Sequence, residues 1–112
     1  MEFFLQVKDG PRIGKQFSIR PGQNLIGRWD PGCGAFPEID LDSIDEDSRV
    51  SRKHATIERR GAELSIVDIG SLNGTLLNGV VRLEKGRNYS LQDGDELTIG
   101  RVSLRVGLRQ GS

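Results

Sequence analysis

Apolar and polar residues alternate along this chain in short bursts, and each burst stops at glycine, proline, asparagine or aspartate. Phe3, Leu5 and Val7 mark a first run over residues 3–7, closed by the turn-forming Asp9-Gly10-Pro11. Phe17 and Ile19 alternate with polar neighbours over 16–19, and Pro21-Gly22 turns the chain again. Residues 24–28 (Asn-Leu-Ile-Gly-Arg) read as the next strand, ending in a Gly/Pro loop over 29–34. Residues 38–41 alternate once more as a short edge strand, and the acidic, aperiodic stretch 42–49 reads as an exposed loop. Runs at 55–60 and 63–68 flank Gly61-Ala62 as a hairpin. Runs at 75–78 and 80–83 meet at Asn78-Gly79, a pair suited to a tight hairpin turn. Asp93-Gly94-Asp95 turns into 96–99, and Gly100-Arg101 leads to a last strand over 102–106.

This pattern predicts about nine to eleven short strands with a turn signal every 8 to 12 residues, the signature of an all-β fold. No segment holds helical apolar spacing for three turns, and no exact repeat is present. The expected architecture is an antiparallel two-sheet β-sandwich. At 112 residues the chain is expected to be one domain over 1–112.

Composition narrows the function classes. Lys plus Arg and Asp plus Glu both number 16, so net charge is zero, and the aromatics are few (Phe 4, Trp 1, Tyr 1). Both facts argue against nucleic acid as partner. Any anion site must therefore come from local arrangement. Cys33 is alone, which excludes an intrachain disulfide and a Cys-rich metal site, and fits a reducing compartment. No apolar stretch approaches the roughly 18 residues that span a bilayer. The start of the chain lacks the basic and apolar regions of a signal peptide. A cytoplasmic chain without membrane contact, acting as a monomer, is expected, with no cofactor and no metal.

Function in a β-sandwich usually lies in the loops at one end. Three loops carry the chemistry: Gly27-Arg28, Val50-Ser51-Arg52-Lys53-His54, and Ser71-Leu72-Asn73-Gly74-Thr75. Arg28, Ser51, Arg52 and Asn73 all fall at predicted strand–loop junctions. Arginine presents a planar fork of donors that matches phosphate oxygens, and a serine hydroxyl adds another donor. A phosphorylated hydroxyl brings a charge of about −2 and three acceptor oxygens, which two arginines and a hydroxyl balance. The Asn73 side-chain amide both donates and accepts, as a peptide bond does, and can grip an extended backbone.

In that order and spacing, Gly27-Arg28, Ser51-Arg52-Lys53-His54 and Asn73-Gly74 resemble the forkhead-associated (FHA) domain family. Asn78-Gly79, Asp93-Gly94-Asp95 and Ile99-Gly100 extend the resemblance across nearly the whole chain, from Phe3 to Val106. The resemblance implies an eleven-stranded FHA/SMAD-like sandwich that binds phosphothreonine peptides on partner proteins through loops at one end, downstream of a Ser/Thr kinase. It implies that Arg28 and Ser51 contact the phosphate, that Arg52 adds a second positive contact, and that Asn73 holds the peptide backbone. Ser71 and Thr75 are expected to line the site. Arg49 is expected to read an acidic residue after the phosphothreonine. His54 and the glycines Gly27 and Gly74 are expected to support the loops.

Two other function classes compete with this non-catalytic adaptor module. A structural or assembly module could use the same fold without phosphate, but it has no physical need to assemble Arg28, Ser51, Arg52 and Asn73. An enzyme could use His54 with a carboxylate, but no nucleophile–base–orienter arrangement is legible. The acidic residues of 40–47 do not match the ligand order of a calcium loop and are expected to be solvated. Trp29 and Phe36 are expected to be packing anchors. Arg59, Arg60, Arg82, Arg87, Arg101, Arg105 and Arg109 are expected to be solvated.

Overall fold

In a computed structural model, which describes residues 1–110, the regular structure among the described residues consists of strands and two short 3-10 turns. In order they are β1 (Glu2–Val7), β2 (Gln16–Ile19), β3 (Gly22–Gly27), β4 (Ile39–Asp40), β5 (Lys53–Arg60), β6 (Glu63–Asp68), β7 (Thr75–Leu77), β8 (Val81–Arg82), β9 (Asn88–Leu91), β10 (Glu96–Ile99) and β11 (Val102–Arg109). One sheet runs β2-β1-β11-β10-β7-β8, and the other runs β4-β3-β5-β6-β9. The all-β, two-sheet expectation holds. The pairing is antiparallel except between β3 and β4, which run parallel because the chain returns alongside β3 after a long loop.

Alternation explains the layers. In β6 the buried positions are Leu64, Ile66 and Asp68, and in β1 they are Phe3, Leu5 and Val7. Leu5, Leu97, Ile99, Leu104 and Val106 face Ile26, Ile39, Ala55, Ile57 and Ile66, all lost to solvent in one core. Each such leucine or isoleucine contributes about 1.5–3 kcal/mol relative to exposure.

Three features depart from the sequence expectation. β9 has no counterpart in it, because Asn88 and Ser90 point outward and only Tyr89 and Leu91 turn toward the core. The acidic stretch 42–49 is not simply an exposed loop: a 3-10 turn over Asp42–Ile44 buries Ile44, and Asp45 is buried beside it. Trp29 and Phe36 are not packing anchors, since each is 52% exposed.

The topology brings the three loops together. β3 and β5 are antiparallel neighbours, so the end of β3 lies at the start of β5, with Gly27 opposite Lys53. β5 and β6 are also antiparallel, which sets the end of β6 there too, with Ala55 opposite Asp68. In the second sheet Ile99 pairs with Thr75, so the loop after β10 joins the same end.

The crossing of β3 and β5 is tight. The register shifts at Ile26/Gly27, and the Arg28 N–H donates to the Arg52 carbonyl at 3.1 Å. A Cβ on Gly27 would stand 1.9 Å from that carbonyl oxygen, so only glycine admits this approach. Gly27→Ala is expected to destabilise the fold by at least about 2 kcal/mol. Urea unfolding measures this, and a midpoint equal to wild type would show that the approach is not obligatory.

Candidate functional site

The loop after β6 is wound around one carboxylate. Asp68 Oδ1 accepts from the Gly70 and Ser71 N–H groups at 2.9 and 2.8 Å. Its Oδ2 accepts from the Ser71 and Thr75 hydroxyls at 2.6 and 2.9 Å. Ser71 Oγ in turn accepts from the Gly74 N–H at 3.0 Å. Burial alone would raise the Asp68 pKa, but these hydrogen bonds, chiefly from Ser71, outweigh it and hold the carboxyl below its ordinary 3.8. Ser71 and Thr75 are therefore fully buried braces of the loop and do not line the site as expected from sequence. Gly74, at φ +86°, closes the turn, and the Arg82 guanidinium lies directly against it, so Arg82 is not merely solvated.

His54 ties this loop to the one before β5. Its ring is fully buried. Nδ1 accepts from the Ser51 N–H at 3.0 Å, so the ring proton sits on Nε2, which donates to the Gly74 carbonyl at 2.9 Å. Both nitrogens are committed, and the ring is a neutral strut. The Gly74 carbonyl also accepts from Gly100 N–H at 3.2 Å. Gly100 supports Arg49 from below, with room for no Cβ: one built there would stand 2.6 Å from the Arg49 carbonyl oxygen.

The loop of residues 45–50 is held the same way. Asp45 Oδ1 and Oδ2 accept from the N–H groups of Arg49 and Val50, both at 3.0 Å, so this carboxylate is a buried loop anchor and not a solvated charge. The Val50 carbonyl, turned outward, accepts from Arg28 Nε at 2.6 Å. That bond fixes the Arg28 guanidinium and leaves its two terminal nitrogens directed elsewhere, with Asp42 Oδ1 3.9 Å from Nη1.

The outcome is a shallow concavity of about 220 Å³ lined by Arg28, Arg49, Ser51, Arg52, Leu72 and Asn73. Ser51 Oγ accepts from the Leu72 N–H at 3.0 Å, which uses a lone pair and leaves the hydroxyl proton without a partner among the described residues. Asn73 spends one amide N–H on the Arg49 carbonyl at 3.0 Å, keeping its side-chain oxygen and second N–H outward. Arg52 is half exposed, with Nε 2.5 Å from Asp30 Oδ2. Asp30 is held below its ordinary 3.8 by the Cys33 side chain first and then by Arg52. Arg49 has no carboxylate partner among the described residues. Sequence reasoning missed Asp45, Asp68 and Asp30. An isolated aspartate carries no local sign of the backbone it caps.

Burial pushes the His54 pKa below its ordinary 6.5, and the Gly74 bond and the charges of Asp68 and Asp45 offset this only in part. The unfolded chain therefore takes up this proton first as pH falls. Stability from neutral His54 is complete above about 6.5 and declines as pH drops toward the lower folded value. The carboxyls of Asp30, Asp68 and Glu96 are also lowered, below 3.8, 3.8 and 4.5, and so titrate beneath this window. Urea midpoints are expected to fall between pH 7.5 and 5.5 in wild type, and the slope is expected to vanish in His54→Gln. A persisting slope in that variant would place the titrating group elsewhere.

Comparison with known proteins identifies the scaffold. The profile of the FHA domain family matches residues 24–100. Among curated relatives, an oxoglutarate dehydrogenase inhibitor of Corynebacterium jeikeium is 36% identical over 100 residues, covering 89% of this chain and 60% of the relative. The glycogen accumulation regulator GarA of Mycolicibacterium smegmatis is also 36% identical, over 89% of this chain and 55% of its own. The chain thus spans less than two thirds of the length of these relatives. Among solved structures, an FHA domain studied for phosphothreonine-dependent interactions is 29% identical with TM-score 0.75, covering 98% of this chain and 99% of its own. The FhaA FHA domain, solved in complex with the intracellular domain of a second protein, is 30% identical with TM-score 0.74, over 93% and 98%. An FHA domain from Arabidopsis thaliana is 33% identical with TM-score 0.80, over 99% and 88%. With the profile covering more than half of its residues, this chain belongs to the FHA domain family.

Proposed function

We propose that this chain is a non-catalytic module that binds phosphothreonine-containing segments of partner proteins through the concavity at the β3, β5 and β7 end. The observation that carries this is the convergence of Arg28, Ser51, Arg52 and Asn73 on one depression. Arg28, fixed through Nε, offers its two terminal nitrogens to two phosphate oxygens. Ser51 donates its uncommitted hydroxyl proton, and Arg52 supplies the second positive charge from the rim. The outward Asn73 amide pairs with the peptide backbone beside the phosphoresidue. Gly27, His54 and Gly74 hold the three loops in place behind these groups.

The regulatory names of the curated relatives fit such a module. So does the FhaA domain's complex with another protein's intracellular domain. Residues 1–112 act as one binding unit in a reducing, cytoplasmic setting, consistent with the exposed free thiol of Cys33. The sole histidine is buried with both nitrogens committed, so His54 is not available as a general base.

Affinity for a phosphothreonine peptide is expected in the micromolar range, about −8 kcal/mol. Charged hydrogen bonds contribute about 1.5–3 kcal/mol each, so removing both offered by Arg28 is expected to weaken binding by more than about a hundredfold. Titration calorimetry of Arg28→Ala, with circular dichroism to confirm the fold, measures this. Binding equal to wild type would refute the site. Arg49, unpaired on the rim, is expected to favour an acidic residue following the phosphothreonine. An Arg49→Ala variant with the same preference across a phosphopeptide library would remove that role.

A further inference from the structure

Six aromatic rings are present, and four of them have a basic side chain over the ring. Arg59 lies over Phe3, Arg109 over Phe4, Lys15 over Phe17 and Arg87 over Tyr89, at 4.8 to 5.5 Å from the ring centres. Among the described residues Trp29 and Phe36 pair only with each other, edge to face at 5.2 Å and 79°. Neither belongs to the core or to the half-buried residues packed on it, and each is 52% exposed. Two large rings left open to water have no role in stability that the fold explains.

The loop presenting them is nevertheless built firmly. Asp30 and Ala35 exchange both backbone hydrogen bonds at 2.9 Å, around a 3-10 turn at Pro31–Cys33 closed by Gly34 at φ +69°. Ala35 is fully buried beneath it. The Trp29 N–H is fixed on Asp40 Oδ1 at 3.1 Å, and Asp30 holds Arg52. The loop that carries the pair adjoins the concavity, because Trp29 directly follows Arg28 and Asp30 is paired with Arg52.

Between Trp29 and Ser48 every charged residue is acidic. Asp30 is paired with Arg52 and Asp42 lies 3.9 Å from Arg28, whereas Glu38 and Asp40 have no basic partner among the described residues. A tryptophan face beside Asp40 and Glu38, carboxylates without a basic partner, favours a cation over an aliphatic group. We infer that Trp29 and Phe36 form a platform for an arginine or lysine side chain flanking the phosphothreonine in the same bound segment. This rests on the phosphothreonine reading above. It would make the recognised segment bipolar, with its phosphate on Arg28 and Ser51 and its basic residue on the adjacent loop.

The test uses synthetic phosphothreonine peptides in which each flanking position in turn carries Arg, Leu or Ala, titrated against wild type and Trp29→Leu. The readout is the ratio of the Ala to the Arg dissociation constant. One position is expected to give a ratio of about two- to fivefold in wild type. In Trp29→Leu the ratio is expected to fall to one, whatever the absolute affinities. The sole tryptophan should report the contact directly, through an emission change with the Arg peptide that exceeds the change with the Ala peptide. Equal affinities throughout, a Leu peptide binding best, or an Arg preference surviving in Trp29→Leu would each overturn the inference and leave phosphate binding standing. Failure of wild type to bind any of the phosphopeptides would overturn both.

Discussion

A buried imidazole bridging two loops is the constraint on which the binding end depends. His54 accepts from Ser51 and donates to Gly74, residues whose loops would otherwise be independent. The geometry needs one acceptor and one donor at opposite edges of a rigid ring that is closed off from solvent. Neutral histidine meets that need in its Nε2-protonated form. Once the Gly74 carbonyl is fixed, Gly100 is fixed on it, and Arg49 and Asn73 follow on the surface above.

Two carboxylates extend the same logic. Asp68 and Asp45 together take up hydrogen bonds from Gly70, Ser71, Thr75, Arg49 and Val50, holding backbone that would be mobile in most surface loops. Loops ordered before a ligand arrives lose less entropy on binding. A small set of charged contacts can then yield useful affinity from a shallow depression. The ligand-facing groups are few, and most of the polar chemistry at this end serves to place them.

Much of this was legible in sequence, for identifiable reasons. Strands with two or more buried positions, such as β1, β5 and β6, declare themselves by alternation. The junction residues Arg28, Ser51 and Asn73 stand out because they interrupt it. β9 has the same burial pattern as β2 but is harder to read, because its first inward residue is the half-polar Tyr89 where β2 has Phe17. Ser71 and Thr75 were misplaced because a hydroxyl beside a binding motif reads the same whether it faces a ligand or a buried aspartate. Asp45 looked like its solvated neighbours, and only the fold shows two backbone N–H groups pointing at it. Trp29 and Phe36 were given to packing on hydrophobicity alone, whereas their loop stands outside both sheets.

The contact between Arg52 and Asp30 has a consequence for what kind of anion can enter. On the function proposed above, Arg52 is the second cation of the site, and a resident carboxylate already stands at its Nε. Entry at Arg52 is therefore an exchange of counter-ions and not a simple capture. A glutamate or aspartate in a passing peptide would replace one single charge by another, with little to gain. A phosphate dianion carries about twice the charge and an extra oxygen, and so shifts the exchange in its favour. On that proposal the pair would set a threshold on charge density, favouring a phosphorylated segment over a merely acidic one.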